Sequence, residues 1–264
     1  MYFRNIIFAA VSAGLISGAV LAVLQHFFVT PVILNAEQFE VVEPVNAGQL
    51  EQMAGHHHDD MSTQGEHTHN HSHEAWAPDD GFERSLATFV STALAAIGFG
   101  LLLSSGMTFR SAPHSAVAQL KRGLFWGASG YAVFFVAPAL GLPPEIPGAE
   151  ATLLNGRQGW WMMTVLFSAA GLALLFFIRS PLRFAGLFVL AVPHILGAPV
   201  PEHHGFSHPD PEAVAQLEVL AAQFIQNTGI VNGIFWIVLG ITSSMMLNLF
   251  LEKESNRSNN EGFA

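Results

Sequence analysis

The stretch IIFAAVSAGLISGAVLAVLQHFFV, residues 6–29, decides what kind of protein this is. Its 24 residues make about 36 Å of α-helix, enough to cross the ~30 Å hydrocarbon core of a bilayer. The short start before it contains Arg4, as a secretory signal would. Yet the apolar run exceeds a signal core, and no clear small-x-small cleavage site follows. The stretch is therefore expected to persist as a membrane span. Ala9, Ala10, Ala13, Gly14, Gly18, Ala19 and Ala22 give it small residues that let a neighbouring helix approach closely.

The rest of the 264-residue chain agrees: 51% of it is hydrophobic and 11% charged, against about a quarter charged in soluble domains. Further apolar segments lie at residues 85–109, 123–140, 160–178, 182–198 and 228–251. The fifth span is short and interrupted by Pro193, so six spans are expected and five are possible. The expected fold is an all-α, polytopic integral membrane helix bundle. It divides into span one (1–30), an external His/Asp/Glu-rich loop (31–84), spans two to six with their loops (85–251) and a polar tail (252–264). Residues 141–159 form a proline-shaped turn, and residues 199–226 form a third loop ending in an amphipathic helix near 213–224. Trp160 and Trp161 stand where an interfacial aromatic belt would place them.

Charge fixes the expected orientation. With six spans and both termini cytoplasmic, Arg4, Arg110, Lys121, Arg122, Arg179, Arg183, Lys253 and Arg257 lie inside, and only Arg84 and Arg157 outside. Of the 20 acids, 17 fall in the three external loops. Five spans would strand Lys253 and Arg257 outside.

This orientation gives the histidines a common place. The external stretch GHHHDDMSTQGEHTHNHSHE (residues 55–74) carries His56, His57, His58, His67, His69, His71 and His73 among Asp59, Asp60, Glu66 and Glu74. It has no apolar face in either secondary structure, so it is expected to be a solvated loop that wraps a cation when one arrives. Imidazoles with carboxylates are borderline ligands, suited to cobalt, nickel, zinc or copper(II). The plain alternative is a low-complexity surface loop. His203, His204 and His208 in the third loop add to the set, and His26 and His194 fall near the outer ends of spans one and five. Twelve of 13 histidines thus face one compartment, leaving His114 on the other side. Such an anionic vestibule concentrates cations.

Ionisable groups near the bilayer are functional candidates. His26, preceded by Gln25, is one; its plain alternative is an interfacial histidine reaching water. His194 is another, because Pro193 frees a carbonyl one turn earlier and broken helices often line ion sites. A hydrogen-bonded histidine at an ordinary kink is the alternative. Arg157 is expected to pair with Glu145 or Glu150 and fix the proline-rich loop, with an electrostatic gate as the sharper possibility. Asn227 and Asn232 are expected to serve packing through interhelical hydrogen bonds more than as oxygen ligands. The chain lacks cysteine, a GxxxxGK[ST] phosphate loop, HExxH and GxSxG, and its basic residues are too sparse for nucleic acid. An enzyme is not expected, nor is a permanently bound cofactor.

The stretches QHFFVTPVILNAE, LGLPPEIPGAEATLLNGRQGWW and AVPHILGAP, with Phe235 and Trp236 in the last span, resemble the CbtA family of bacterial cobalt transporter subunits. The resemblance covers nearly the whole chain. It implies an inner-membrane component of cobalt uptake linked to cobalamin supply, often working with CbtB, a small one-span partner that carries a histidine motif. That family is described with about five spans, against six counted here. Together these readings predict uptake of a divalent transition metal, Co2+ ahead of Ni2+ or Zn2+. Loop histidines would capture the ion, and His26 and His194, with nearby carbonyls or amides, would form an intake site. Capture should weaken as pH falls through about 6.5, because imidazole must be neutral to bind. A membrane-anchored sensor or chaperone that delivers metal to another transporter is the alternative.

Overall fold

A computed structural model describes residues 2–39, 81–109, 115–150, 152–201 and 205–261, with side chains described for residues 3–252 of these. Among them there is no strand; Ala149 and Phe206 form an isolated antiparallel bridge. The helices among the described residues make six rods. The first joins α1 (Tyr2–Leu24), a π-turn (Gln25–Val29) and α2 (Thr30–Glu37). The second is α3 (Phe82–Met107), and the third joins α4 (Ala116–Tyr131), a second π-turn (Ala132–Val136) and α5 (Ala137–Ala139). Then come α6 (Leu154–Phe177), a 3-10 turn (Pro181–Phe184) leading into α7 (Ala185–Leu196), and α8 (Pro211–Glu261).

Four of these helices are long and apolar enough to cross a membrane: Phe3–Glu37, Phe82–Met107, Leu154–Phe177 and Pro211–Glu252. The expected all-α membrane bundle is therefore what forms. The rod Pro181–Leu196 is shorter, about 24 Å if fully helical, below the ~30 Å of hydrocarbon.

Several boundaries differ from the sequence reading: α4 begins at Ala116 and not at residue 123, and α6 at Leu154 and not at residue 160. The first rod continues through Glu37 instead of ending at Val29. The amphipathic helix and last span expected as separate pieces are one 51-residue helix, about 76 Å long, which also takes in most of the tail. The polar triplet Gln226, Asn227 and Thr228 contains no helix breaker, so nothing stops propagation. Pro193 lies inside α7 without breaking it. Its carbonyl accepts from both Gly197 N (3.1 Å) and Trp160 Nε1 (3.3 Å).

The π-turns have a shared cause. They end in FFVTP (residues 27–31) and FFVAP (residues 134–138). Pro31 and Pro138 have no N–H to give the carbonyl four residues back. The residue before each proline bonds five residues back instead, Thr30 N to Gln25 O and Ala137 N to Ala132 O.

Packing follows the small residues. In the middle, α1 is flanked by α3 and α8; α4 lies against α8; α6 and α7 form a hairpin to one side. Ala9, Ala10 and Ala13 are fully buried. A Cβ on Gly14 would stand 2.5 Å from Ile97 Cα, so only glycine permits this helix approach. Ser17 donates to Ala13 O (2.7 Å) and lies 3.2 Å from Thr242 Oγ1, joining α1 to α8 within the core.

The two ends of the bundle differ. At one, Asn5 donates to Phe250 O (3.3 Å), and Arg122 reaches Ser244 Oγ (3.1 Å) and Asn248 Oδ1 (3.0 Å). The sequence places Arg122 in a connecting link, whereas here it fastens α4 to α8. At the other end Ala36, Ile146 and Leu217 are buried together under Phe206 and Phe224. The flanks of the 40–80 segment, the proline-rich loop and the segment before α8 all gather there.

Candidate functional site

The described candidate residues, His26, His194 and His208, lie on separate elements toward the end capped by Ile146. His56, His57, His58, His67, His69, His71 and His73 lie outside the described residues, as do His203, His204 and His114. The described residues do show how the helix ends on either side of the histidine segment are joined. Arg84 donates to Glu37 Oε1 at 2.8 Å, pinning together the helices from which the segment leaves and to which it returns.

His26 sits in the first π-turn, exposed, with its ring edge-on to Phe27 (centroids 5.2 Å apart, 81°). Around it the polar groups are already engaged. Gln25 Oε1 accepts from Thr92 Oγ1 (3.4 Å), and the Phe28 carbonyl accepts from Asn227 Nδ2 (2.8 Å). Asn227 is thus the interhelical hydrogen bond the sequence predicts, whereas Asn232 donates within its own helix, to Thr228 O (2.9 Å). Asn227→Leu, which leaves that carbonyl without its donor, should lower stability by roughly 0.6–1.7 kcal/mol. A fall in the thermal midpoint in detergent, with faster amide exchange at residues 28–32, checks this; unchanged exchange there would show that water serves as well.

His194, on α7, is exposed, and its ring lies edge-on to Trp160 (5.9 Å, 72°). His208 serves the local fold. Its Nδ1 accepts from Asp210 N (3.0 Å), while Asp210 Oδ1 accepts from Glu212 N (3.0 Å) and caps α8. The Nδ1 of this ring is thereby engaged by the turn before α8. Among the described residues no three His, Asp or Glu side chains come together as a cation-sized group. His26, His194 and His208 stay on separate elements.

Arg157 pairs with Glu145 (2.6 Å), one of the two partners expected for it, and both are about 30% exposed. Glu150 instead accepts from Ser207 Oγ, and its backbone N donates to Gly205 O (3.2 Å), tying the proline-rich loop to the segment before α8. The Arg157–Glu145 pair borders a cavity of about 700 Å3 walled by Phe134, Pro138, Gln158 and Trp161. The sequence pointed to the pair but not the chamber, because its walls come from the second π-turn and the start of α6. The repeated FFVxP pattern is the signal that would have marked both π-turns. At this end both basic side chains, Arg84 and Arg157, are paired with carboxylates, so neither presents a free positive charge to an approaching cation.

A family model described as a probable cobalt transporter subunit, CbtA, matches residues 3–248. Comparisons with curated proteins and with solved structures return no match.

Proposed function

This chain belongs to the CbtA family, and from that premise we propose that it is the membrane subunit through which a bacterial cell takes up cobalt across its inner membrane. The family is one of transporter subunits and not of enzymes, and the helices make the chain a multi-pass membrane protein. The observation that carries the finer reading is segregation. The described flanks of the histidine segment, the proline-rich loop and the α8 cap share one end, while Arg4, Lys121, Arg122, Arg179 and Arg183 belong to the other. An end rich in imidazole and carboxylate gathers cations, and a basic opposite end matches a cytoplasmic face.

In this reading the histidines between residues 55 and 74 capture Co2+ and hand it on. His26 and His194 act as single, exposed contacts at the top of the bundle, each completed by ligands from the loop. That division suits their separation. Bound ligands must be exchangeable, which weak and numerous contacts favour over one tight cage. Ni2+ and Zn2+ compete for the same donors, since imidazole does not by itself select cobalt. A small one-span CbtB-type partner would complete the transporter.

One observation favours a second reading, an anchored chaperone or sensor that binds metal without conducting it: no three-ligand group forms among the described residues. Flux of radioactive cobalt into proteoliposomes, with nickel and zinc as competitors, separates the two. Transport above protein-free liposomes is expected, with the small partner added if the chain alone is silent. His26→Ala combined with His194→Ala should cut the maximal rate by roughly tenfold, the effect of ~1.4 kcal/mol at the rate-limiting step. External binding with no flux under either condition would leave the anchored chaperone as the function.

A further inference from the structure

A second chamber lies deeper in the bundle, away from the histidine end, where α3, α4 and α6 face one another. Its volume is about 570 Å3, within the ~300–1,000 Å3 of pockets that hold one organic ligand. The walls are Leu103 of α3, Val133 of the second π-turn, and Ala169, Leu172 and Ala173 of α6; Ser129 adds the one aliphatic hydroxyl. Ring contacts close both ends and hold α6 off α4. Phe125 meets Phe176 edge to face (4.9 Å, 86°) and Trp126 meets Phe177 (6.3 Å) at one end; Phe134 meets Trp161 (6.4 Å) at the other. Between these clamps Ser129, Gly130, Ala169 and Ala173 are too small to fill the gap that the rings hold open. Leu102 (58% exposed) and Phe176 (51% exposed) form a sideways opening.

An empty apolar space of this size would forfeit the contacts of every wall. Water would find almost no partners in it. The neighbouring phase in a bilayer is hydrocarbon, and it reaches the opening directly. The chemistry at the Phe125–Phe176 end is also suited to a lipid. Lys121 stands one turn before Phe125 on the same face of α4, and Arg179 follows two residues after Phe177. Both are exposed. An acyl chain inside the chamber would leave its phosphate at these two cations.

We propose that this chamber is a binding site for one phospholipid, with an acyl chain between α4 and α6 and an anionic head group at Lys121 and Arg179. The lipid would brace the α6–α7 hairpin against α4, beside the ring contacts at the chamber's two ends.

Native mass spectrometry of the full chain released from nanodiscs of mixed phosphatidylglycerol and phosphatidylethanolamine tests this. The parent should keep one phospholipid, enriched in phosphatidylglycerol. Ala173→Phe, which fills the chamber, should lose it. Lys121→Gln with Arg179→Gln should keep a lipid but reduce the preference for the anionic head by roughly tenfold. Should Ala173→Phe fail to fold, acyl-brominated lipids give an independent reading in the parent. They should quench the part of the fluorescence that Trp126→Phe removes. A parent that sheds all lipid in mild detergent, an unchanged lipid count in folded Ala173→Phe, or a co-purifying polypeptide displaced by that variant in place of lipid would each overturn the proposal.

Discussion

With His56, His57, His58, His67, His69, His71 and His73 all changed to alanine, cobalt uptake should fall roughly tenfold or more at limiting metal, yet stay within about twofold of the parent at saturating metal. Seven tethered imidazoles raise the local concentration of bound metal at the bundle's mouth. Such a gain matters only while bulk metal is scarce. The Glu37–Arg84 pair (2.8 Å) holds together the two helix ends that flank this segment in the sequence. A pH series supplies the sign. Imidazole binds metal only when neutral, so lowering the pH through about 6.5 should weaken capture by the parent. The variant has no such ligands to lose there, and the two uptake curves should converge at low pH. The carboxylates stay charged in this range and their attraction is screened by salt, which the pH effect is not. Equal loss at every cobalt concentration would place these histidines in the translocation step and overturn the division between capture and intake.

What could be read from the chain alone divides along physical lines. Spans are legible because hydrocarbon demands long apolar runs, and stretches such as residues 6–29 have no other use. The close approach of α1 was legible for a related reason, since Ala9, Ala13 and Gly14 recur at helical spacing. The pairing of Arg157 was legible from scarcity: it is one of two external cations among many acids. Other features depend on partners distant in sequence. Nothing near Arg122 announces Ser244 and Asn248, and nothing near His208 announces that its imidazole serves Asp210 N. The uninterrupted α8 was missed because a polar triplet looks like a boundary, although the backbone ignores polarity when no proline intervenes. The intake site is the least legible part. Its proposed ligands lie partly in a segment whose composition gives chemistry without geometry. The described remainder places His26 and His194 on rods that pack against different neighbours.

The glycines at the α4–α8 crossing should prove the most severe single positions in the fold. Gly240 stands where an added Cβ would lie 2.6 Å from Gly127 N, and a Cβ on Gly123 would lie 2.6 Å from Ile241 Cα. Both obstacles are backbone, which cannot rotate away as a side chain can. Gly240→Leu or Gly123→Leu must therefore push two helices apart. Separation would strip Arg122 from Ser244 and Asn248 and Tyr131 from the Gly229 carbonyl, which it holds at 2.9 Å. The loss should reach or exceed the ~3 kcal/mol upper end of ordinary overpacking. In lipid no hydrophobic drive between helices offsets it, because acyl chains solvate apolar surface equally well. Gly98 is the matched control: it is also helical, yet no atom lies within 4 Å of an added Cβ. Gly98→Ala should leave stability unchanged or raise it by up to about 1 kcal/mol through helix propensity. Thermal midpoints in detergent, read beside size-exclusion profiles, should thus put Gly240→Leu far below the parent and Gly98→Ala at or above it. A folded, monodisperse Gly240→Leu with an unchanged midpoint would mean that α4 and α8 do not meet at this crossing.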